Sequence, residues 1–289
     1  MRYALSGQEI QVGRYLSRFS VLPDLCCQAA GGEPGWADDL TIGWLLFYKA
    51  ADLMDSVQDG DEPDAWWTEQ GVGAALATAS GLYFSGSLAL NRLHDRAETQ
   101  GVAAEITSVL YNTLLVMSSG QYSDLLHPQP TLAQYWQHAA SKSGAFFSLA
   151  CWSGARLATG ELEVLQSYRD YGAHLGILVQ VMDDMDDIRL LPEQPHSSYM
   201  VKVARSLPIV YALEVSPPEL CARIQGCLDS AAQSQEATTE LVTMLDQCGA
   251  ARFVLVEMEK HRSMALQALT RVNPAGEFKL KLAALVQEM

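Results

Sequence analysis

The sequence predicts an all-α protein, and three observations support this prediction. Apolar residues recur at the spacing of one helix face along most of the chain, for example from Leu162 to Gln180. Alternating runs of β-branched residues, which would indicate strands, are scarce. Ala, Leu, Gln, Glu and Met, which favour helices, fill most segments instead. We find no linker or repeat, so we expect residues 1–289 to form one domain.

In the N-terminal half, most of the predicted helices end where glycine or proline residues cluster. Glycine favours turns, and proline lacks the backbone N–H that a helix interior needs. The helices are expected at 9–30, ending at Gly31–Gly35; at 37–57, ending before Gly60–Pro63; at 69–93; at 100–125, ending before His127–Pro130; and at 131–158, ending at Gly160.

The C-terminal half follows the same pattern, with one long predicted helix followed by mostly shorter ones. The segment of the long helix contains no proline, which allows it to continue without a break. The helices are expected at 162–189, ending before Leu191–His196; at 198–213 and 218–231, separated by Ser216–Pro218; at 235–247; at 250–271, ending before Asn273–Pro274; and at 276–287.

The composition argues against two classes of partner. Lys and Arg number 19 and Asp and Glu number 34, which leaves a formal net charge of −15. Binding to nucleic acid or to anionic lipid headgroups normally requires a basic surface. We therefore expect no nucleic acid partner. We also expect no helix that is long and apolar enough for stable membrane insertion, which requires about 20 residues.

The six cysteines predict reduced thiols and no disulfide framework. No pair has the C-x-x-C spacing of a zinc or redox motif. The first residues show no apolar stretch typical of a secretory signal. Because free thiols are typical of reducing compartments, we expect a cytoplasmic protein. The cysteines are Cys26, Cys27, Cys151, Cys221, Cys227 and Cys248.

The most informative segment is Gly176–Asp187, in which four carboxylates lie within an apolar helical run. On a helix, Asp183 and Asp187 project from the same side, and Asp184 lies beside them. Like charges at this spacing destabilise a helix, and burying them costs far more free energy. A cation would relieve that cost, and carboxylates with positions left open for a polyphosphate suit Mg²⁺. The alternative is a solvated acidic helix end.

A second acidic cluster ends the apolar run from Leu40 to Met54. It again contains carboxylates four residues apart, Asp55 and Asp59, with Asp52 on nearly the same face. Two helices that each end in aspartates could face one another across a cavity. Carboxylates at the rim and apolar helix faces below them would suit a ligand with a diphosphate head and a hydrocarbon tail.

These segments resemble the trans-isoprenyl diphosphate synthases, that is, the polyprenyl synthetases with the class I terpenoid synthase fold. Gly176–Asp187 matches the family motif GxxxQxxDDxxD at every motif position. Residues 55–59 resemble the DDxxD motif, although Ser56 stands in place of its second aspartate. Three further segments resemble family motifs in the same order: 120–125 resembles GQxxDL, 141–146 resembles KTGxLF, and 206–213 resembles TLPxxYAL.

The resemblance implies an isoprenoid synthase helical bundle with a central apolar cavity. It also implies an enzyme that uses Mg²⁺ to ionise an allylic prenyl diphosphate, and a homodimer. The implied metal ligands, which are also the implied catalytic residues, are Asp55, Asp59, Asp183, Asp184 and Asp187. The implied substrate-binding residues are Gln121, Lys142, Gln180, Lys202 and Arg205.

Departures from the family pattern concern the site for the second substrate, isopentenyl diphosphate. Chain-elongating members carry a GKxxRP motif, and the matching segment here has Phe19 and Leu22 at the Lys and Arg positions. A family histidine that serves the same site maps near Tyr48, and segment 61–67 replaces an Arg-Arg pair. Each charge-assisted contact is worth about 1.5–3 kcal/mol, so we expect isopentenyl diphosphate to bind weakly.

Three functions remain open. The first in rank is a terpene synthase that ionises a single prenyl diphosphate and resembles the class IB enzymes. The second is a prenyltransferase, either a polyprenyl diphosphate synthase or one that prenylates a different acceptor, with Lys49, Arg92 or Arg96 replacing the missing cations. The third is a non-catalytic subunit of a heteromeric prenyl synthase, which the incomplete first aspartate motif favours.

Overall fold

The chain folds as an all-α bundle in the computed structural model, which confirms the predicted fold class. The part of the chain that the structure describes contains fifteen α-helices, a 3₁₀ turn at Arg92–His94, a π turn at Ala140–Gly144, and no strand. The described residues are 16–60, 66–126, 129–191, 197–232, 234–272 and 276–289.

The helices are numbered in chain order. The first eight are α1 (Leu16–Phe19), α2 (Leu22–Ala29), α3 (Asp38–Asp59), α4 (Trp66–Gln70), α5 (Val72–Asn91), α6 (Gln100–Leu126), α7 (Leu132–Ala139) and α8 (Ala145–Ala158). The other seven are α9 (Leu162–Leu190), α10 (Ser197–Arg205), α11 (Leu207–Val215), α12 (Pro218–Ser230), α13 (Gln235–Gln247), α14 (Ala250–Thr270) and α15 (Glu277–Gln287).

Two helices predicted as continuous are interrupted in the structure. The predicted helix 131–158 contains the π turn, which separates α7 from α8. The predicted helix 9–30 breaks between α1 and α2, because Pro23 lies in the first turn of α2 and cannot continue a preceding helix. Its residues 9–15 lie outside the described residues.

The predicted helix 198–213 is also divided, at Ser206. Pro208 lies in the first turn of α11, where its missing N–H is not needed. The break leaves the backbone N–H of Leu207 without an acceptor in its own helix. That N–H therefore needs an acceptor from another part of the molecule.

Helix α9 is at the centre of the bundle and carries the second aspartate motif. It packs against α8 on one side and α14 on another. Its Tyr168, Tyr171 and Leu175 are almost completely buried. The hydroxyl of Tyr171 donates a hydrogen bond to the backbone oxygen of Leu282 at 2.8 Å, which satisfies this polar group inside the core.

Two glycines let α9 approach the neighbouring backbone closely. A Cβ atom at Gly176 would overlap the backbone of Ser143 in the π turn. A Cβ atom at Gly172 would overlap the backbone of Phe147 in α8. The glycine that begins the aspartate motif therefore has a packing role, since any larger residue would push α9 away from the π turn.

Aromatic side chains of α3 and α8 pack together on the part of α3 that precedes its aspartates. Trp44 and Phe47 of α3 and Phe146 of α8 are buried. The rings of Trp44 and Phe146 stack at a centroid distance of 5.1 Å, and the ring of Tyr48 lies 6.0 Å from each. These rings give α3 and α8 an aromatic contact next to the helix end that carries Asp55 and Asp59.

A second, smaller core lies among the helices that follow α9. It contains Leu191, Met200 and Val203 around α10, and Leu241 and Leu245 of α13. This core supports α10 from behind, so that the polar residues of α10 can face α3 and α9. The organisation of all 289 residues as one domain stays a prediction.

Two described helices are long and apolar enough to span a membrane by length and composition alone, which does not by itself overturn the expectation of no stable membrane insertion. They are Val72–His94, which is α5 with the 3₁₀ turn, and Gln100–Leu126, which is α6. Only 28% and 17% of their apolar windows are buried inside the structure. Much of their apolar surface therefore faces outward.

Candidate active site

A polar cleft of about 90 Å³ lies where α3, α7, α9 and α10 meet. Seven of the ten predicted site residues line it: Asp55, Asp59, Lys142, Gln180, Asp184, Lys202 and Arg205. Six further residues complete its lining, and the sequence did not single them out as site residues: Asp124, Pro130, Tyr135, His138, Ala139 and Ser206.

Asp55 and Asp59, near the C-terminal end of α3, each pair with a cation from another element. Lys142 Nζ lies 3.2 Å from Asp55 Oδ1, and Arg205 Nη1 lies 3.2 Å from Asp59 Oδ1. Gly60 adopts the left-handed conformation that ends α3 directly after Asp59. The two ion pairs connect α3 to the π turn and to α10.

Lys142 lies in the π turn, with its ammonium group between two carboxylates. Besides Asp55, the Oδ2 atom of Asp124 lies 3.6 Å from Lys142 Nζ. Burial lowers the pKa of Lys142, but the nearby negative charges of Asp55 and Asp124 raise it more, so the pKa lies above its usual value. Lys142 is therefore positively charged at neutral pH and suited to bind an anion.

Asp184 is buried, and its carboxylate accepts three hydrogen bonds. Tyr135 Oη donates to Oδ2 at 2.6 Å and Gln180 Nε2 donates to Oδ1 at 3.1 Å. The backbone N–H of Leu207, left without a helical acceptor by the break before α11, donates to Oδ2 at 2.7 Å. Burial raises the pKa of Asp184 to about 6, and the three hydrogen bonds oppose that rise.

Asp183 and Asp187, the first and last aspartates of the motif, do not line the cleft directly but lie near Lys202 of α10. Lys202 Nζ is 3.4 Å from Asp187 Oδ1, and Tyr199 Oη donates to the backbone oxygen of Asp187 at 2.9 Å. Burial raises the pKa of Asp183 to about 7, and the positive charge of Lys202 opposes this only in part. The protein alone thus supplies too little positive charge to keep Asp183 fully ionised at neutral pH.

The two predicted glutamines have different surroundings. Gln180 lines the cleft, and Ser143 Oγ donates to its Oε1 atom at 3.0 Å, so Gln180 also joins α9 to the π turn. Gln121 does not line the cleft, and its buried amide has no hydrogen-bond partner. The structure therefore brings Gln180 into the site and leaves Gln121 outside the cleft.

The carboxylates around the cleft have the chemistry that a divalent cation prefers, although they are not gathered as a metal site in the described residues. Carboxylate oxygens are the ligands that Mg²⁺ prefers, and the raised pKa of Asp183 indicates carboxylates that lack enough positive charge. Within the described ranges, no three His, Cys, Asp or Glu side chains are gathered into a group that could hold a metal. Asp55, Asp59 and Asp187 each pair with a lysine or an arginine, so metal binding requires these cations to turn to another anion.

Comparison with known proteins identifies the family of this chain. Residues 51–245 match the sequence model of the polyprenyl synthetases. The chain belongs to the polyprenyl synthetase family. This is a family of prenyltransferases, so prenyl transfer, the second-ranked function from the sequence, agrees better with the comparisons than terpene synthesis.

Two curated relatives carry different names within this family. The geranylgeranyl diphosphate synthase of Mycobacterium tuberculosis is 28% identical over 227 residues, which are 74% of this chain and 64% of the relative. The tryptophan prenyltransferase ComQ of Bacillus subtilis subsp. natto is 26% identical over 145 residues, which are 50% of this chain and 43% of the relative. The chain therefore spans less than two-thirds of the length of both relatives.

A solved structure shares the polyprenyl synthetase fold with this chain. It is a polyprenyl synthase from Caulobacter crescentus, complexed with calcium and isoprenyl diphosphate. The TM-score is 0.81 at 18% sequence identity, and the match covers 98% of this chain and 87% of the other. At this identity the likeness establishes the fold, which is the isoprenoid synthase bundle expected from the sequence.

Phe19 and Leu22, which the motif resemblance places at the cation positions of chain-elongating members, lie before the matched residues 51–245 and are buried. Phe19 is 1% exposed and Leu22 is 0% exposed. The ring of Phe19 packs edge-on against Phe147 at a centroid distance of 5.2 Å. Tyr48, near the position of the family histidine, belongs to the aromatic cluster of α3 and α8, and burial raises its pKa. Of the segment 61–67, residues 61–65 lie outside the described residues.

The cations considered as replacements are engaged in other ion pairs. Lys49 Nζ lies 2.9 Å from Asp52 Oδ2. Arg92 Nη1 and Arg96 Nε lie 3.6 Å and 3.1 Å from the buried carboxylate of Asp39. The structure therefore gives these three residues roles in binding neighbouring carboxylates, and it does not bring them to the cleft.

Sequence reasoning missed three ionisable or hydrogen-bonding side chains of the cleft. Two of them, Tyr135 and His138, lie on α7, seven and four residues before Lys142 of the π turn. The side chains of Tyr135, His138 and Lys142 all line the cleft. Their spacing ahead of the motif lysine is the signal that could have found them. Asp124 lies in segment 120–125, which resembles GQxxDL, so the motif itself could have indicated it.

Proposed function

We propose that this chain ionises an allylic prenyl diphosphate with divalent metal ions and transfers the prenyl group to an acceptor. The cleft carries the proposal, because the aspartates of α3 and α9 lie together with three cations, Lys142, Lys202 and Arg205. Carboxylates are suited to hold the metal ions, and Lys and Arg are suited to hold a diphosphate. Membership of the polyprenyl synthetase family supports the same chemistry.

Asp55, Asp59, Asp183 and Asp187 are the residues that we propose as Mg²⁺ ligands. The ion, when bound, neutralises negative charge on the diphosphate leaving group. The raised pKa of Asp183 supports this assignment, since a nearby divalent cation would favour the ionised carboxylate. The calcium in the related polyprenyl synthase structure supports a divalent ion in the family.

Asp184 was also predicted as a metal ligand, and we now propose that it is a positioning residue. Its oxygens accept hydrogen bonds from Tyr135, Gln180 and the N–H of Leu207. These bonds join α7, α9 and α11 beside the cleft. Asp184 therefore holds its neighbours in place, so that Asp183 and Asp187 keep their positions on α9.

Lys142, Lys202 and Arg205 are proposed to bind the diphosphate of the donor. In the free protein each of them pairs with one of the proposed metal ligands. Once metal ions neutralise these aspartates, the three cations can bind phosphate oxygens. The Nε atom of Arg205 is buried without a hydrogen-bond partner, and a phosphate oxygen would supply the acceptor.

The acceptor that we propose does not carry a diphosphate. The resemblance to the GKxxRP motif supports this, because Phe19 and Leu22 stand in place of its Lys and Arg and are buried among apolar residues. Lys49, Arg92 and Arg96 pair with other carboxylates. The similarity to a tryptophan prenyltransferase supports transfer to a different kind of acceptor.

Terpene synthesis is the second candidate, and the same apolar positions favour it. An enzyme without a second diphosphate site can also let the carbocation cyclise, eliminate a proton or react with water. The aromatic cluster of Trp44, Tyr48 and Phe146 would present ring faces to such a cation. A non-catalytic subunit is the third candidate and predicts no turnover at all.

We propose a homodimer that forms through an apolar stripe on α5. The stripe consists of Val72, Leu76, Phe84 and Leu88, which are spaced by four residues or multiples of four. Phe84 is 70% exposed and Leu88 is 67% exposed in the single chain. A second copy would bury this surface, which is larger and more apolar than single exposed side chains require.

We propose a cytoplasmic location. All six cysteines are free thiols, and Cys26, Cys27, Cys151 and Cys227 are buried. Free thiols persist in reducing compartments, which supports this location.

Diphosphate release tests the proposed function. The protein with Mg²⁺ would be incubated with geranyl, farnesyl or geranylgeranyl diphosphate, each alone and with isopentenyl diphosphate, and products identified by mass spectrometry. We expect metal-dependent release from one donor without isopentenyl diphosphate, lost in Asp183→Ala. Asp186→Ala, a motif neighbour that pairs with the exposed Arg189 and is not a proposed metal ligand, is the control and should retain release. Release only with isopentenyl diphosphate would restore a chain-elongating synthase, and no release with any donor would indicate a non-catalytic subunit.

A further inference from the structure

The side chain of His138 lies between the cleft and a second cavity. His138 is on α7, is 9% exposed, and lines both spaces. Its Nδ1 atom lies 3.1 Å from Asp124 Oδ1, and Asp124 lines the cleft. Its Nε2 atom lies 3.5 Å from Ser123 Oγ, and Ser123 lines the second cavity. The two nitrogens of one imidazole ring thus contact residues that line two different spaces.

The second cavity is an open groove of about 450 Å³ between α6, α7 and the π turn, and five of its nine lining residues are exposed. This is within the range of small-molecule binding sites. Apart from His138, its lining contains no acidic or basic side chain, so it does not suit a diphosphate. Its hydroxyl and amide groups suit a neutral polar molecule. The other lining residues are Asn112, Leu115, Val116, Ser119, Gly120, Ser123, Gln137 and Ser141.

The carboxylate of Asp124 orients the imidazole of His138 as a proton acceptor. When Asp124 accepts the Nδ1–H, the lone pair of Nε2 points away from Asp124. The same carboxylate stabilises the imidazolium that forms when Nε2 takes a proton, as it does in other carboxylate–histidine pairs. Ser141 Oγ donates to the backbone oxygen of His138 at 3.2 Å and helps to hold the end of α7.

The same carboxylate links His138 to the diphosphate site. Asp124 Oδ2 lies 3.6 Å from Lys142 Nζ, and Lys142 is a proposed contact of the donor diphosphate. The charged and titratable groups that face this space come from every element around it. They are Asp124 of α6, Tyr135 of α7, Lys142 of the π turn, Asp55 and Asp59 of α3, Asp184 of α9, and Lys202 and Arg205 of α10.

We propose that His138 is the general base of prenyl transfer and that the second cavity binds a neutral acceptor with an O–H or N–H nucleophile. This inference rests on the proposed function. The allylic C–O bond of the donor breaks with its electron pair going to the diphosphate. The acceptor oxygen or nitrogen forms a bond to the allylic carbon, and its proton passes to Nε2 of His138. Asp124 is the positioning residue for His138.

Product partition in the full-length protein tests His138. With Mg²⁺ and a donor that is ionised, 1-naphthol and indole serve as O–H and N–H probes, and isopentenyl diphosphate is the charged comparison. A general base contributes typically about 100-fold or more, so the ratio of transfer to donor hydrolysis should fall by about 100-fold in His138→Gln. The fall in His138→Gln should appear in kcat for transfer, and the KM for the neutral probe should stay unchanged. His94→Gln, an exposed histidine on the 3₁₀ turn, is the control and should change neither quantity.

A second variant tests the cavity independently of the base. Ser119→Phe would fill space in the second cavity, so we expect a KM for the neutral probe about 10-fold higher with little change in kcat. Donor hydrolysis without any transfer to either probe would overturn the acceptor site while leaving the ionisation chemistry intact. Equal losses of transfer and hydrolysis in His138→Gln would overturn the base role. Absence of diphosphate release from every donor would instead be a failure of the proposed function.

Discussion

At the scale of single residues, two adjacent aspartates of one motif have different surroundings. Asp184 accepts three hydrogen bonds from three different elements. Burial raises the pKa of Asp183 to about 7, and the positive charge of Lys202 opposes that rise. The first is suited to hold the fold beside the cleft, and the second is suited to receive a metal ion. Identical side chains therefore serve different purposes because their neighbours differ.

The hydrogen bond from Tyr135 to Asp184 predicts a loss of stability in Tyr135→Phe. A hydrogen bond to a charged, buried group contributes about 1.5–3 kcal/mol, so the free energy of unfolding in urea should fall by about that amount. Tyr122→Phe, at an exposed position, is the matched control and should unfold like the natural sequence. Equal unfolding free energies for the two variants would contradict the role assigned to this bond.

The raised pKa of Asp183 predicts that the metal-free protein loses stability as the pH rises. Burial raises the pKa of Asp183 from its ordinary 3.8 to about 7, so between these pH values the folded state holds a proton that the unfolded state has released. This contribution to stability is present below about pH 4 and is lost as the pH rises to about 7. Tm measured in EDTA across this window should therefore decline more steeply in the natural sequence than in Asp183→Asn, whose amide does not titrate. Parallel Tm curves would show that burial of Asp183 has no such effect.

The ion pair between Arg205 and Asp59 predicts an unusual effect on metal binding. In Arg205→Gln, Asp59 loses its partner cation, so Mg²⁺ alone should bind more tightly by calorimetry. Inorganic diphosphate with Mg²⁺ should bind more weakly, because one proposed phosphate contact is lost. Arg189→Gln removes an exposed arginine that pairs with Asp186, and both affinities should stay unchanged. Weaker binding of Mg²⁺ alone in Arg205→Gln would contradict the competition between Arg205 and the metal.

The aspartates, Lys142 and Arg205 were predictable from the sequence, because each lies within or beside a recognisable motif. Tyr135 and His138 were not, because their roles depend on contacts with Asp184 and Asp124 that lie far away in the chain. Gln121 lies in a motif-like segment, yet it is outside the cleft. Motif spacing thus identifies residue types, whereas the direction of each side chain depends on the fold.

At the scale of elements, the π turn has the largest effect on the site. The apolar periodicity of residues 131–158 predicts one helix. The π turn widens the helix over a single turn only and leaves that periodicity almost unchanged. The turn places Lys142 near Asp55 and brings Ser143 against α9. The break at Ser206 was more accessible to sequence reasoning, because Pro208 two residues later disfavours a continuous helix.

The close contact of α9 with the π turn predicts that Gly176→Ala is destabilising. The new methyl group would overlap the backbone of Ser143, and overpacking costs about 1–3 kcal/mol. Gly226→Ala is the control, since Gly226 is an exposed helical glycine with open space around its Cβ position. It should stabilise the protein by about 0.5–1 kcal/mol. Urea unfolding measures both changes, and equal signs would contradict this account of Gly176.

At the scale of the whole molecule, the fold class was predictable because helical periodicity and ordered motif matches extend along most of the chain. The contact partners within the aromatic cluster were not predictable, because they depend on how α3 and α8 pack. The outward apolar surface of α5 was not predictable from composition. The net charge of −15 is a sum over the chain and does not describe how charge is distributed over the surface. The charge and the apolar stripe are compatible because they lie on different parts of the molecule.

The α5 stripe predicts that charged substitutions separate the homodimer. Phe84→Glu with Leu88→Glu would place two carboxylates in the proposed interface, so the mass by analytical ultracentrifugation should fall from dimer to monomer. Leu162→Glu, at an exposed leucine outside the stripe, should leave the mass unchanged. An unchanged dimer in the double variant would contradict the stripe as the interface. Loss of sedimentation with neutral lipid vesicles in that variant would show that the stripe faces a membrane instead.

The glycine contacts of α9 also have a mechanical consequence. Helix α9 cannot slide or rotate without driving its backbone into that of the π turn and α8. Helix α9, which carries Asp183 and Asp187, is therefore fixed in position. Arg205 and Lys202 are carried by the short helix α10, which rests on the smaller core. We therefore expect α10, and not α9, to move when the cleft closes around a ligand.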